Sequence, residues 1–125
     1  MNSVKYETKV KQIGPLAQDF MDAGILVFFG MNAPEELTEF AILHEPITQL
    51  HQPVEAGDSL IVGDTSIQVL CVGEVANENL ANLGHFVVKF NGFTEPEMPG
   101  DISVPLQDNL PNIEPGMVVK FIGGN

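Results

Sequence analysis

Few side chains in this sequence can do chemistry: His44, His51 and His85, one thiol at Cys71, and seventeen carboxylates among 125 residues. All five basic residues are lysines (Lys5, Lys9, Lys11, Lys89 and Lys120), so no planar guanidinium is present to grip a phosphate or carboxylate at two points. His44 closes the run Glu39-Phe40-Ala41-Ile42-Leu43, which alternation reads as a strand carrying Phe40, Ile42 and His44 on one face. Residues at strand ends commonly line the mouth of a barrel, which would leave this imidazole half buried. A neutral ring there offers one nitrogen as nucleophile while a hydrogen bond holds the other, an arrangement suited to reversible phosphoryl transfer near neutral pH. A histidine that merely satisfies its hydrogen bonds at a strand end answers the same pattern.

His85 follows Leu83-Gly84 and precedes Phe86-Val87-Val88-Lys89-Phe90. A second imidazole near the first would donate to a phosphoryl oxygen where arginine is lacking; an independent surface histidine fits equally well. His51, within Gln49-Leu50-His51-Gln52-Pro53, reads as a solvated loop residue. None of the three histidines has the short paired spacing that marks a zinc site. Cys71 lies in an apolar row with Ile67 and Val69 and has no adjacent lysine or histidine, so it reads as an inert core thiol. A Walker loop, a G-x-S-x-G elbow, a paired Cys-x-x-Cys and a dinucleotide fingerprint are all missing from the sequence.

The elements that must position these residues are short. Twelve glycines and nine prolines are spread along the chain, and between them lie runs rich in Val, Ile, Phe and Thr that suit a pleated surface. These runs predict strands at 4–13, 25–29, 39–44, 59–62, 66–72, 84–90, 102–104 and 117–122. Proline near the start and glycine just past the end predict brief helices over 15–23 and 74–83. The acidic stretch 32–39 reads as a solvated loop. The sequences Glu55-Ala56-Gly57-Asp58, Met98-Pro99-Gly100-Asp101 and Glu114-Pro115-Gly116-Met117 echo one another as turns entering strands, without implying a duplication. Sheet edges need covering, so the expected fold class is all-β: a small closed or nearly closed barrel of about seven strands with one or two short helices, forming a single domain over 1–125.

The net charge of −12 opposes binding to nucleic acid or to an anionic membrane surface. A hydrophobic content of 44% is that of a globular chain. A lone cysteine allows no internal disulfide, and the start of the chain (Met1-Asn2-Ser3-Val4-Lys5-Tyr6) lacks an apolar signal core, so a reducing cytoplasm is the expected compartment. The longest apolar runs, such as 25–29, fall far short of the roughly 20 residues of a membrane-spanning helix, so direct membrane insertion is not expected.

Several segments together carry a family resemblance. They are Ile13-Gly14, Ala33-Pro34, the stretch from Glu39 through His44, Val72-Gly73-Glu74-Val75-Ala76-Asn77-Glu78-Asn79-Leu80, Leu83-Gly84-His85, Lys89-Phe90-Asn91-Gly92, Pro99-Gly100, and the stretch from Ile113 through Phe121. In this order, and over nearly the whole length, the chain resembles the glucitol/sorbitol-specific IIA component of the bacterial phosphoenolpyruvate-dependent sugar phosphotransferase system. The resemblance implies a β-barrel phosphocarrier that needs no cofactor and no metal. Its histidine, matching His44, would accept a phosphoryl group from the histidine-containing phosphocarrier protein and pass it to a cysteine of the IIB portion of the IIB/IIC membrane transporter. His85 would be a supporting residue in the same site. A non-enzymatic β-barrel module that binds a ligand or protein is the competing expectation.

Overall fold

Alternation sets the first strand: along β1 (Val4–Ile13) Tyr6, Thr8 and Val10 turn inward and are buried, while Lys9 and Lys11 stay exposed. The computed structural model describes residues 3–123. Met1 and Asn2, which open the segment read as lacking a signal core, and Gly124 and Asn125, at the far end of the expected domain, lie outside the described residues. After β1 come α1 (Ala17–Asp22), β2 (Ile25–Gly30), α2 (Glu35–Thr38), β3 (Ile42–Thr48), β4 (Ser59–Val62), β5 (Thr65–Gln68), β6 (Cys71–Val72), α3 (Ala76–Leu83), β7 (Phe86–Lys89), β8 (Asp101–Ser103) and β9 (Val118–Ile122). The described residues thus form nine strands and three short helices, a mainly β fold as expected. The additional helix, α2, falls in the acidic stretch read as loop, and all but one of its residues are exposed.

The strands make one sheet in the order β5-β4-β9-β1-β3-β2-β7-β8-β6. Its two edge strands, β5 and β6, are halves of one extended segment, 65–72, interrupted only by Val69 and Leu70. Those two residues bridge the edges: the Val69 amide donates to Asp58 O at 2.8 Å beside β4, and the Leu70 amide to Ser103 O at 2.8 Å on β8. The sheet therefore curls until one strand serves both edges, giving a nearly closed barrel. Its interior holds Tyr6, Phe28, Phe86 and Phe121, with the Phe28 and Phe86 rings stacked 4.4 Å apart.

One strand is displaced from its predicted place. The sequence pattern put a strand at 39–44, whereas β3 starts at Ile42 and runs on to Thr48. Glu39 and Ala41 are taken by the bend after β1, their carbonyls accepting from the amides of Leu16 (2.8 Å) and Gly14 (2.9 Å). Phe40 packs edge-on against Phe20 of α1, its ring centroid 5.7 Å away. At the other end, Pro46 is tolerated inside β3 because the parallel pairing with β2 stops at Gly30 opposite His44, leaving that side free of a ladder.

The three echoing turns are alike in structure. In each, the first residue's amide donates to the fourth residue's side chain: Glu55 to Asp58 Oδ2 (2.8 Å), Met98 to Asp101 Oδ2 (3.0 Å) and Glu114 to Met117 Sδ (3.1 Å). The two aspartates are buried and each binds a lysine, Asp58 with Lys5 at 2.8 Å and Asp101 with Lys89 at 2.9 Å.

Candidate functional site

His44 is the third residue of β3, paired with Val10 of β1 on one side and Gly30 of β2 on the other. The residue is 0% exposed, which corrects the expectation of a half-buried ring at a barrel mouth. The physical reason is the displaced strand: a residue near the centre of the sheet, not at its end, turns into the core. The imidazole meets the rings of Tyr6, Phe28 and Phe86 edge-on, with centroids 6.3, 5.8 and 5.7 Å away.

Both ring nitrogens are engaged. Nε2 lies 2.6 Å from the carbonyl oxygen of Gly84, and Nδ1 lies 2.5 Å from the hydroxyl of Thr8. A carbonyl can only accept, so Nε2 carries the proton and the neutral ring accepts the Thr8 hydroxyl proton at Nδ1. Burial holds the ring below its ordinary pKa of 6.5, against the opposing pull of the Gly84 carbonyl, which keeps it neutral. Tyr6, on the same inward row as Thr8, has a buried hydroxyl that makes no hydrogen bond of good geometry among the described residues, with the Thr8 side chain beside it. Burial raises its pKa, and the neighbouring Thr8 side chain works against that rise.

Between the imidazole and the surface lies bare backbone. Helix α3 ends at Gly84 in the left-handed conformation (φ +63°), with the Gly84 amide bonded to Leu80 O at 3.0 Å and the His85 amide to Asn79 O at 3.2 Å. A Cβ on Gly84 would come 3.0 Å from the Gly30 Cα and 3.3 Å from the His44 Cε1, so only glycine lets α3 close this tightly over the ring. Outside the two glycines is a cleft of about 470 Å³, lined also by Met31, Asn32, Glu45, Gln49 and residues 80–83. Its lining includes one charged side chain, Glu45, and no lysine. A larger hollow, about 770 Å³, lies between α1 and residues 107–113, and no histidine lines it.

The other two histidines stand elsewhere. His85 donates from Nδ1 to Phe28 O at 3.1 Å and stacks on Phe29 at 4.5 Å. Phe29 belongs with Ala41 and Leu43 to a small cluster separate from the main core that holds Phe28 and His44. His85 is thus on the outer face of β2 while His44 is on the inner face; what joins them is the Gly84–His85 peptide. His51 is exposed and donates from Nε2 to Val4 O at 2.8 Å, pinning its loop along β1. Cys71 is buried, its thiol 3.6 Å from Phe93 O. Among the described residues no three His, Cys, Asp or Glu side chains gather as metal ligands would, and no helix is long and apolar enough to cross a membrane.

Sequence reasoning missed two members of this site. Thr8 carries a signal, a small hydroxyl side chain in the row Tyr6-Thr8-Val10; Gly84 lies within Leu83-Gly84-His85, where the histidine is the one side chain able to do chemistry.

This barrel is the fold of a PTS system IIA component. It matches "The Crystal Structure of PTS System IIA Component from Enterococcus faecalis V583" with a TM-score of 0.82 and 26% sequence identity, over 94% of this chain and 99% of that one. The narrower assignment comes from sequence. The family model of the PTS system glucitol/sorbitol-specific IIA component matches residues 5–120, and the chain belongs to that family. It is 35% identical over 121 residues to the PTS system glucitol/sorbitol-specific EIIA component of Shigella flexneri, and equally to that of Escherichia coli (strain K12). Each alignment covers 95% of both chains.

Proposed function

We propose that residues 1–125 act as one cytoplasmic IIA domain that carries a phosphoryl group on Nε2 of His44. The donor would be the histidine-containing phosphocarrier protein and the acceptor the IIB cysteine of a glucitol/sorbitol transporter. The observation that carries this reading is the Nε2 to Gly84 O contact, since Gly84 also lines the cleft: the nitrogen aimed at the cleft lies one peptide beneath it. Nδ1 points instead to Thr8 on the buried face of β1.

Transfer requires the Gly84 peptide to lift and Nε2 to give up its proton. The Nε2 lone pair then forms an N–P bond while the donor's N–P bond breaks and its electron pair returns to the donor ring. In the second step a cysteine thiolate of IIB forms the S–P bond, the N–P bond breaks, and the pair returns to Nε2. The donor's phosphoramidate already carries the energy, so positioning and charge stabilisation are what the protein must supply. The cleft's own lining contributes amides at Asn32, Asn82 and Gln49, with Glu45 the only charge, a setting that favours passing a dianion on over keeping it. His85 serves this site indirectly, anchoring the peptide that follows Gly84 to β2.

The test is labelling by the phosphorylated carrier. His44→Ala and the better space-filling His44→Gln should take up no label, His51→Ala should label as the wild type does, and peptide mass spectrometry should place acid-labile, alkali-stable phosphate on His44. Phosphate found on His51 or His85 would overturn the assignment. The non-enzymatic reading draws on the complete burial of His44, which a purely structural histidine would share. It predicts no label on any histidine of the folded protein.

A further inference from the structure

We propose that Thr8 is a positioning residue that partners Nδ1 of His44 in either tautomer, so that Nε2 becomes a nucleophile when the Gly84 carbonyl moves away. The inference rests on the reading of His44 as phosphoryl acceptor. In the closed structure Thr8 Oγ1, itself fully buried, donates to Nδ1 at 2.5 Å, and Nε2–H donates to Gly84 O at 2.6 Å. The proton therefore sits on the nitrogen that must attack, and the resting ring is inert at that position. Once the Gly84 carbonyl departs, the tautomer with its proton on Nδ1 needs an acceptor inside the barrel.

A hydroxyl can fill both roles, since it donates one proton and accepts through its lone pairs. Rotation about the Thr8 Cβ–Oγ1 bond turns it from donor to acceptor. While the lifted peptide leaves the whole ring uncovered, one proton is taken up from water at Nδ1 and one is lost to water from Nε2; the ring then settles back neutral, with Nδ1–H on Thr8 and its lone pair toward the cleft. After N–P bond formation the same acceptor holds Nδ1–H on the phosphorylated ring, the form in which imidazole leaves as a neutral molecule. Thr8 is well placed for this because the surroundings offer little else. The ring meets Tyr6 from β1, Phe28 from β2, Phe86 from β7 and Gly84 after α3, and the His44 backbone pairs with Val10 and Gly30 in the sheet. Tyr6 is the titratable neighbour among these, and Glu45, the charged residue of the cleft, follows His44 on the opposite, exposed side of β3.

The experiment combines ring-nitrogen NMR of 15N-histidine protein with uptake of phosphate from the phosphorylated carrier, in wild type, Thr8→Val and Thr8→Ser. Resting wild-type His44 should carry its proton on Nε2 and its phosphorylated ring should carry one on Nδ1. Thr8→Val should take up phosphate about tenfold more slowly, the loss expected of one buried hydrogen bond. In that variant Nδ1–H of the phosphorylated ring should titrate about one pH unit lower. Thr8→Ser should restore both, which a role in packing alone would not predict. Uptake by folded Thr8→Val at the wild-type rate, or a resting wild-type ring protonated on Nδ1, would overturn the proposal. Should Thr8→Val fail to fold, the wild-type tautomers and the Thr8→Ser rate still decide. A wild type that takes up no phosphate removes the carrier reading and the role of Thr8 in transfer together; normal wild-type uptake with an unaffected Thr8→Val removes only the role of Thr8.

Discussion

A neutral imidazole sealed in an aromatic cage makes stability depend on pH in a definite direction. Burial lowers the pKa of His44 from its ordinary 6.5 in the folded chain, while the unfolded chain keeps the ordinary value. Below about pH 6.5 the unfolded state therefore binds more protons than the folded one, and linkage makes unfolding easier as the pH falls. Stability from this residue is fully present above the unfolded pKa and is lost as the pH drops toward the folded one. Urea unfolding should show a midpoint that is flat above about pH 7 and declines as the pH falls below about 6.5. In His44→Gln the decline should be shallower, because the variant has no proton to take up at that position. An equal decline in both proteins would mean that the ring is open to water and can charge in place.

At the scale of elements, the glycine that ends α3 is where architecture and chemistry meet. Gly84→Ala places a Cβ at a φ of +63° and 3.3 Å from the ring it covers, so both the cap and the seal are strained. The backbone conformation alone costs about 1 kcal/mol. The expected result is a lower melting temperature together with a shifted His44 ring spectrum; a lower melting temperature with an unchanged ring would reduce Gly84 to a helix stop. Much of this layout was legible in the chain: the bounds of β1, the four residues of β4 and the glycine stop of α3 follow from local pattern. The displacement of β3 was not, because Pro46 reads as a strand terminator when its neighbours are unknown, and it is the early end of β2 that makes a proline harmless there. That His44 belongs to a strand was legible from its neighbours, but its burial was not. Burial arises from contacts 36 and 40 residues away, to Thr8 and Gly84, which no local spacing encodes.

For the whole molecule the decisive feature is a barrel closed by one segment, and the seam can be tested through a residue far from it in sequence. Lys5 on β1 is buried and donates to Pro53 O and to Asp58 Oδ2, both at 2.8 Å. Asp58 in turn holds the Glu55 amide through its carboxylate and the Val69 amide through its carbonyl, so the ammonium anchors the turn that receives the crossing segment. Burial pulls the Lys5 pKa down, yet the hydrogen bond and charge of Asp58, helped by Glu55, leave it above the ordinary 10.5, so the ion pair persists at neutral pH. Removing one partner of a buried pair costs about 3 kcal/mol because the other charge stays behind desolvated. Lys5→Met should therefore lower the unfolding free energy by about that amount, and Lys5→Met combined with Asp58→Asn should recover part of it, since the amide keeps an acceptor for Glu55 without the stranded charge. If the pair holds the seam, amide exchange in Lys5→Met should accelerate first at Val69 and Leu70. Acceleration spread evenly over all nine strands would mean that the ion pair stabilises the barrel as a whole and that the two edges stay joined without it.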